Sequence, residues 1–307
     1  MHNLGFPQKL CNLCKMVNNE LYARVKIGKC LSDNFKLHKG IRQGDALAPL
    51  LFNVVLEIAV RKSYVETAGT IFTKCNQIIA YADDVVIMGR RLDDVKDTFV
   101  ALEEQTKKFG LIINENKTKL MTVSKKAFRE NQNLVIQTYS FEVVKEFTYL
   151  GTLITNNNEL RPEIEKRIFN ANRAYYALLP VLKSQAIYRT EKIRIYKTLI
   201  RPVLTYGAEA WTMKVEMIKR LAVFERKVLR KILGAVRVND IWRRRYNSEL
   251  MALYEDLDLV SFIKLNRLRW IGHIYRMENT RKVTRYFIII HKDLAREADQ
   301  SIDGWMI

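Results

Sequence analysis

Two carboxylates stand side by side at Asp83 and Asp84, with the apolar runs Ile78-Ile79-Ala80 and Val85-Val86-Ile87-Met88 on either flank. Adjacent negative charges between apolar strands are unfavourable unless a cation sits close by, and a divalent metal would supply one. Mg²⁺ takes oxygen ligands and commonly divides its shell between one or two carboxylates and the phosphates of a substrate, which is the arrangement phosphoryl transfer uses. Asp is also favoured in hairpin turns for purely local reasons, so the pair by itself leaves turn chemistry open.

Other side chains with chemical potential are scattered more widely. Cys11, Cys14, Cys30 and His38 form a series that could bind zinc, but Cys11 and Cys14 fall on one predicted helix face, and the second pair lacks the compact spacing of structural zinc sites. Small buried thiols are the simpler reading. His273 has no nucleophile beside it in sequence and reads as structural. Arg243, Arg244 and Arg245, flanked by Trp242 and Tyr246, suit phosphate contact and base stacking, and equally suit a solvated turn.

The elements that position these groups follow from periodicity and punctuation. Pro7 and the spacing of Leu10, Leu13, Cys14 and Val17 predict a helix over 7–19, and a strand hairpin follows over 21–37. A loop through Lys39 to Asp45 leads to an apolar helix over 50–60, expected to be buried on several sides. Two strands then meet at Tyr81-Ala82-Asp83-Asp84, which places the tetrad at a hairpin turn, and a helix over 92–109 stops at Gly110. Strand character recurs at 111–113, 120–123, 134–136 and 147–154. From Pro162 the texture changes to long helices over 162–179, 189–201 and 215–233, then a helical stretch around 257–269, with strand character at Tyr286 to Ile290. This order predicts an α+β fold: an antiparallel sheet with helices on one face, then an α-helical region, then a basic helical region.

The chain of 307 residues carries 52 basic and 33 acidic side chains, a net charge of +19. Residues 1–158 hold 22 basic and 16 acidic groups, and residues 159–307 hold 30 and 17, so the second half dominates the positive field. Such a surplus points to a polyanionic partner, with nucleic acid the default over an anionic membrane face. Four cysteines confined to the first quarter argue against a disulfide scaffold. The start lacks the apolar core of a secretory signal, and the run Ala46 to Val60 is interrupted by Pro49, Asn53 and Glu57. An intracellular protein, nuclear or cytoplasmic, with no membrane partner is expected.

The neighbours of the tetrad narrow the reading. Gly40-Ile-Arg-Gln-Gly-Asp-Ala-Leu-Ala-Pro-Leu-Leu-Phe-Asn53 precedes it; Phe109-Gly-Leu-Ile-Ile-Asn114, Lys117-Thr118 and Phe147-Thr-Tyr-Leu-Gly151 follow. This ordered series resembles the palm of reverse transcriptases of the non-LTR (LINE-like) retrotransposon type, often labelled endonuclease-reverse transcriptases. The similarity continues through Leu221 to Gly234 and Arg267 to Met277. The resemblance implies a partial palm over 1–158, a helical thumb over 159–235 and a basic C-terminal extension over 236–307. It implies RNA-directed DNA polymerisation with an RNA template, a DNA primer, deoxynucleotides and Mg²⁺, or Mn²⁺ in its place. By analogy Asp83 and Asp84 bind metal, Tyr81 and Ala82 lie near the primer terminus, and Arg42, Gln43 and Gly44 contact template and nucleotide. Lys117 would stand near the departing pyrophosphate, and Tyr149, Leu150 and Gly151 would grip the primer.

The family's third metal-binding carboxylate lies on a strand upstream of the Gln-Gly loop, separated from it by a helix and a hairpin. Here that helix and hairpin occupy 7–37, and Asp33 in Ser-Asp-Asn reads as a turn residue, so the third carboxylate is expected to be missing. Ala48 stands where a serine is common in the family. No second carboxylate-rich series supports an endonuclease. Two alternatives therefore stay open: a non-catalytic, basic nucleic-acid-binding remnant, and the product of a decayed gene copy.

Overall fold

The computed structural model describes residues 1–19, 21–37, 44–65, 77–123 and 133–288. By its contacts the chain falls into two compact units, Met1–Asn114 and Glu115–Ile307.

In the first unit Pro7 caps helix α1 (Gln8–Asn18), as its fixed φ favours at a helix start. None of the expected apolar stripe is buried: Leu10, Leu13 and Val17 stay about half exposed and Cys14 is half-buried, whereas Cys11 beside them is buried. The predicted hairpin is a nested pair: β1 (Leu21–Ala23) with β4 (Phe35–Leu37), and inside it β2 (Lys26–Ile27) with β3 (Cys30–Leu31). Polar cross-links hold its middle, the Val25 N–H donating to Ser32 Oγ at 2.9 Å. Helix α2 (Ala48–Lys62) starts beside Asp45, which accepts from the Leu47 N–H at 2.9 Å, and carries Pro49 in its first turn. Expected to be apolar and buried nearly all round, α2 buries only Leu56 and Ala59 and leaves Leu50 exposed, because α3 (Leu92–Lys107) is the helix packed against it. Between them in sequence comes the hairpin of β5 (Gln77–Tyr81) and β6 (Asp84–Met88).

The second unit opens with β7 (Lys119–Leu120), β8 (Leu134–Ile136) and β9 (Tyr139–Val143) in the order β7-β9-β8, β7 running parallel to β9. A tight hairpin follows, β10 (Glu146–Tyr149) with β11 (Thr152–Thr155). Helices α4 (Arg161–Ala177), α5 (Leu179–Lys183), α6 (Arg189–Ile195), α7 (Arg201–Thr205) and α8 (Val215–Leu233) come next. The chain continues through the hairpin β12 (Val236–Val238) and β13 (Ile241–Arg243), then α9 (Asn247–Tyr254) and α10 (Leu259–Arg276). Their apolar faces meet in one core, with Ile164, Leu204, Trp211, Leu221, Leu229 and Ile263 at most 1% exposed.

The helix predicted over 189–201 is interrupted. A π-helical turn, Tyr196–Ile200, separates α6 from α7. Pro202 sits in the first turn of α7, has no N–H to give the Thr198 carbonyl and would crowd it in an α-helix, so the widened turn takes up the misfit. The turn drives Tyr196 and Ile200 completely into the core.

The mixed α and β content agrees with the expected class, whereas the single sheet does not appear: the described strands form six small sheets. Residues 111–113 form no strand, and residues 282–288 are helical, so the strand expected from Tyr286 is replaced by helix over its described part. No helix among the described residues is long and apolar enough to cross a membrane.

Candidate active site and nucleic-acid interface

The β5–β6 hairpin is built by β-branched residues pairing across it, Ile79 with Val86 and Ile78 with Ile87, and ends in the pair Tyr81 and Asp84. Ala82 and Asp83 are thus the two turn residues. Ala82 takes φ 51°, a left-handed backbone that disfavours any residue with a Cβ. Asp83 and Asp84 are both exposed at this tip, and neither side chain has a hydrogen bond or ion pair among the described residues. Two hard oxygen donors with no counter-charge among the described residues have the chemistry that Mg²⁺ would take, with water and phosphate oxygens completing its shell. A second ion is not provided for: among the described residues no group of three His, Cys, Asp or Glu side chains is placed to hold a metal. That also separates the cysteine series, with Cys11 buried on α1, Cys14 half-buried and Cys30 exposed on β3.

Arg42, Gln43 and His38 lie outside the described residues, while Gly44 adopts φ 90°, open to glycine and strained for other residues. Lys117 belongs to the second unit and is exposed on the turn 115–117.

The second cluster of expected site residues is locked in place. Leu150 (φ 46°) and Gly151 (φ 81°) form a two-residue turn with positive φ at both positions, matched to the twist of a hairpin. The turn carbonyls point at two donors: the Tyr206 hydroxyl donates to Leu150 O at 2.8 Å, and the Arg167 guanidinium donates to Gly151 O at 2.5 Å. Arg167 also lies 4.6 Å over the Tyr206 ring and pairs at 2.5 Å with Glu163, a carboxylate completely removed from solvent. The second oxygen of Glu163 accepts from the Leu153 N–H at 2.8 Å, and Lys166 donates to Thr148 Oγ1 at 2.9 Å. Sequence reading missed Arg167, Glu163 and Tyr206. The i, i+4 spacing of Glu163 and Arg167 is the signal, but the same spacing marks ordinary surface pairs.

The three consecutive arginines do three different things. Arg243 forms a bidentate pair with Glu249, at 2.9 and 2.6 Å, and lies 4.5 Å over the Tyr246 ring. Hydrogen bonds from Arg243 and from the Tyr246 N–H hold the Glu249 carboxyl down at about 2. Arg244 is exposed, and the Nε of Arg245 is shielded from solvent without an acceptor among the described residues. His273 lies beside the Trp270 ring, 5.5 Å between centroids, on α10.

A deeper polar network joins the π turn, α8 and α10. Glu225 is 2% exposed and accepts from the Tyr196 hydroxyl at 3.0 Å and from the Leu259 N–H at 2.8 Å. Burial pushes the Glu225 carboxyl up, opposed by those two hydrogen bonds.

Residues 1–154 match the family described as reverse transcriptase (RNA-dependent DNA polymerase). An uncharacterized transposon-derived protein of Caenorhabditis elegans is 27% identical over 214 residues, 67% of this chain and 74% of that protein. The retrovirus-related Pol polyprotein from type-1 retrotransposable element R2 of Popillia japonica is 24% identical over 241 residues, 76% of this chain and 38% of the polyprotein. That of Bradysia coprophila is 24% identical over 271 residues, 85% of this chain and 30% of the polyprotein. This chain belongs to the reverse transcriptase family, of the non-LTR retrotransposon type. It spans well under half the length of those two R2 polyproteins.

Proposed function

We propose that the chain is part of an RNA-directed DNA polymerase that adds deoxynucleotides to a primer 3′-hydroxyl on an RNA template. The observation that carries this reading is the exposed, unneutralised Asp83-Asp84 pair at a hairpin tip, in a chain of this family. Asp83 and Asp84 would hold Mg²⁺, which supplies charge stabilisation to a phosphate under attack. Tyr81 and Ala82 would border the primer terminus, and Arg42, Gln43 and Gly44 the template and incoming nucleotide. Lys117 would offer positive charge, or a proton, to the departing pyrophosphate. Tyr149, Leu150 and Gly151 would grip the primer, a role supported by the hold of Arg167 and Tyr206 on the Leu150-Gly151 turn. In this reading residues 1–158 are palm, 159–235 thumb and 236–307 a basic extension that includes Arg243, Arg244 and Arg245.

Primer extension on an annealed RNA template, with Mg²⁺ and deoxynucleotides, is the test. Incorporation that disappears in Asp83→Asn and Asp84→Asn variants supports the reading. A second reading, nucleic-acid binding without polymerisation, is favoured by the lack, among the described residues, of a group of three or more side chains that could hold a metal, where two-metal transfer needs more ligands than Asp83 and Asp84 alone. Retained primer-template binding with no incorporation would select it.

A further inference from the structure

The C-terminal turn of α8 and the β12–β13 hairpin enclose an open groove of about 410 Å³. Lys227, Arg230, Lys231 and Arg244 line it together with Tyr175 and Trp242, and no carboxylate faces into it. What partners these cations have are neutral: Lys227 donates to Asn172 Oδ1 at 2.8 Å and to the Tyr176 hydroxyl at 3.1 Å, and Arg230 donates to Asn247 Oδ1 at 2.6 Å. None of the four forms an ion pair among the described residues. Arg230 shows the strain of this arrangement. Its Nε is shielded from solvent with no acceptor among the described residues, and desolvation, with Arg244 and Arg226 adding repulsion, presses its pKa below the usual value. Arg243, by contrast, is neutralised by Glu249 and serves as wall.

Several cations gathered without a counter-charge repel one another, and an anion that enters relieves the repulsion. Phosphodiesters fit, because Arg forks and Lys point charges both take phosphate oxygens. Trp242, 68% exposed on the hairpin beside the cations, adds a flat apolar surface. Cations that track a backbone beside an exposed aromatic are how proteins take hold of unpaired strands. We propose that this groove binds single-stranded nucleic acid, with backbone phosphates on Lys227, Arg230, Lys231 and Arg244 and a base stacked on Trp242. The assignment deepens the nucleic-acid reading above and is independent of whether Asp83 and Asp84 polymerise.

The test is fluorescence anisotropy of the full chain with a labelled twelve-residue oligo-U or oligo-dT across a salt series. Removing two phosphate contacts in a Lys231→Gln, Arg244→Gln double variant lowers the slope of log affinity against log salt by about 1.4, from ~0.7 per contact on single strands. Both side chains are exposed, so a thermal melt matching wild type is expected. Trp242→Leu weakens binding about 5-fold or more with the slope unchanged, as loss of one stacked base requires. Wild-type affinity and slope in all variants would overturn the groove alone. No oligonucleotide binding by the wild-type chain would remove the groove and the nucleic-acid reading together. Equal displacement by inorganic pyrophosphate at matched phosphate concentration would reassign the groove to small phosphates and overturn the strand.

Discussion

The guanidinium of Arg167 lies 4.6 Å over the ring of Tyr206, and the two side chains take consecutive carbonyls of one turn, Arg167 that of Gly151 and Tyr206 that of Leu150. A turn whose carbonyls are claimed in this way cannot rotate its peptide units without breaking one of these hydrogen bonds. The β10–β11 hairpin is therefore held by the helices that follow it.

Tyr206→Phe keeps the ring under Arg167 and deletes one donor. Urea denaturation is expected to show a loss of about 1 kcal/mol, the net value of one such hydrogen bond. A loss no smaller than that of Tyr206→Ala would mean the ring contributes nothing and the stacking is incidental.

Gly151→Ala meets two obstacles. Its φ of +81° disfavours a Cβ, and the added methyl would stand 3.5 Å from the Tyr206 ring. The contact is ordinary, so the backbone decides the outcome: destabilisation of roughly 1–2 kcal/mol in the same denaturation experiment.

Arg167→Leu strands the Glu163 carboxylate in the interior and leaves the Gly151 carbonyl without its donor. Breaking a buried pair by removing one partner is expected to cost about 3–5 kcal/mol. Adding Glu163→Gln should restore part of that loss, since the stranded charge goes. A double variant as unstable as the single one would place the damage in packing instead.

Glu225 makes stability depend on pH in a definite sense. Burial raises its folded pKa above the unfolded value, so the folded state holds the proton more tightly. The contribution is most favourable below the unfolded value of about 4.3 and declines as pH rises through the folded one. Thermal melts of Glu225→Gln and wild type should therefore diverge in the variant's favour as pH climbs from 4 to 7. Parallel curves would refute the assignment.

Glu249 runs the other way. Its folded pKa, about 2, lies below the unfolded one, so its pair with Arg243 supports the fold above about 4.3 and is lost as pH falls through 2. Melts of Glu249→Gln should fall below wild type at pH 6 and converge with it near pH 2.

Much of this architecture was legible in the sequence wherever a local rule decides it. The β5–β6 turn follows from β-branched runs on both sides of Ala82-Asp83, and α8 ends at Gly234 as the punctuation requires. What could not be read depends on distant partners. Nothing near Pro202 distinguishes a widened π turn from a kink, because the choice rests on burying Tyr196 and Ile200. The expected single sheet assumed that strand-like segments find one another, yet 111–113 has no paired strand among the described residues and leaves Ile112 at 87% exposure. Asp83 and Asp84 were singled out by their neighbours in sequence. Arg167 and Tyr206 were not, since their role exists only where α4, α7 and the hairpin meet. The arginine run was seen as one basic cluster, and only Glu249, folded back from α9, separates Arg243 from Arg244.

The clamp on the Leu150-Gly151 turn also sets an order of events in time. The hairpin strands are neighbours in sequence and can meet within microseconds. The Tyr206 hydroxyl reaches Leu150 across 56 positions, a closure that waits for α4, the π turn and α7 to pack. During synthesis the turn would thus stay half-bonded until the ribosome has delivered Tyr206, well after both hairpin strands have emerged.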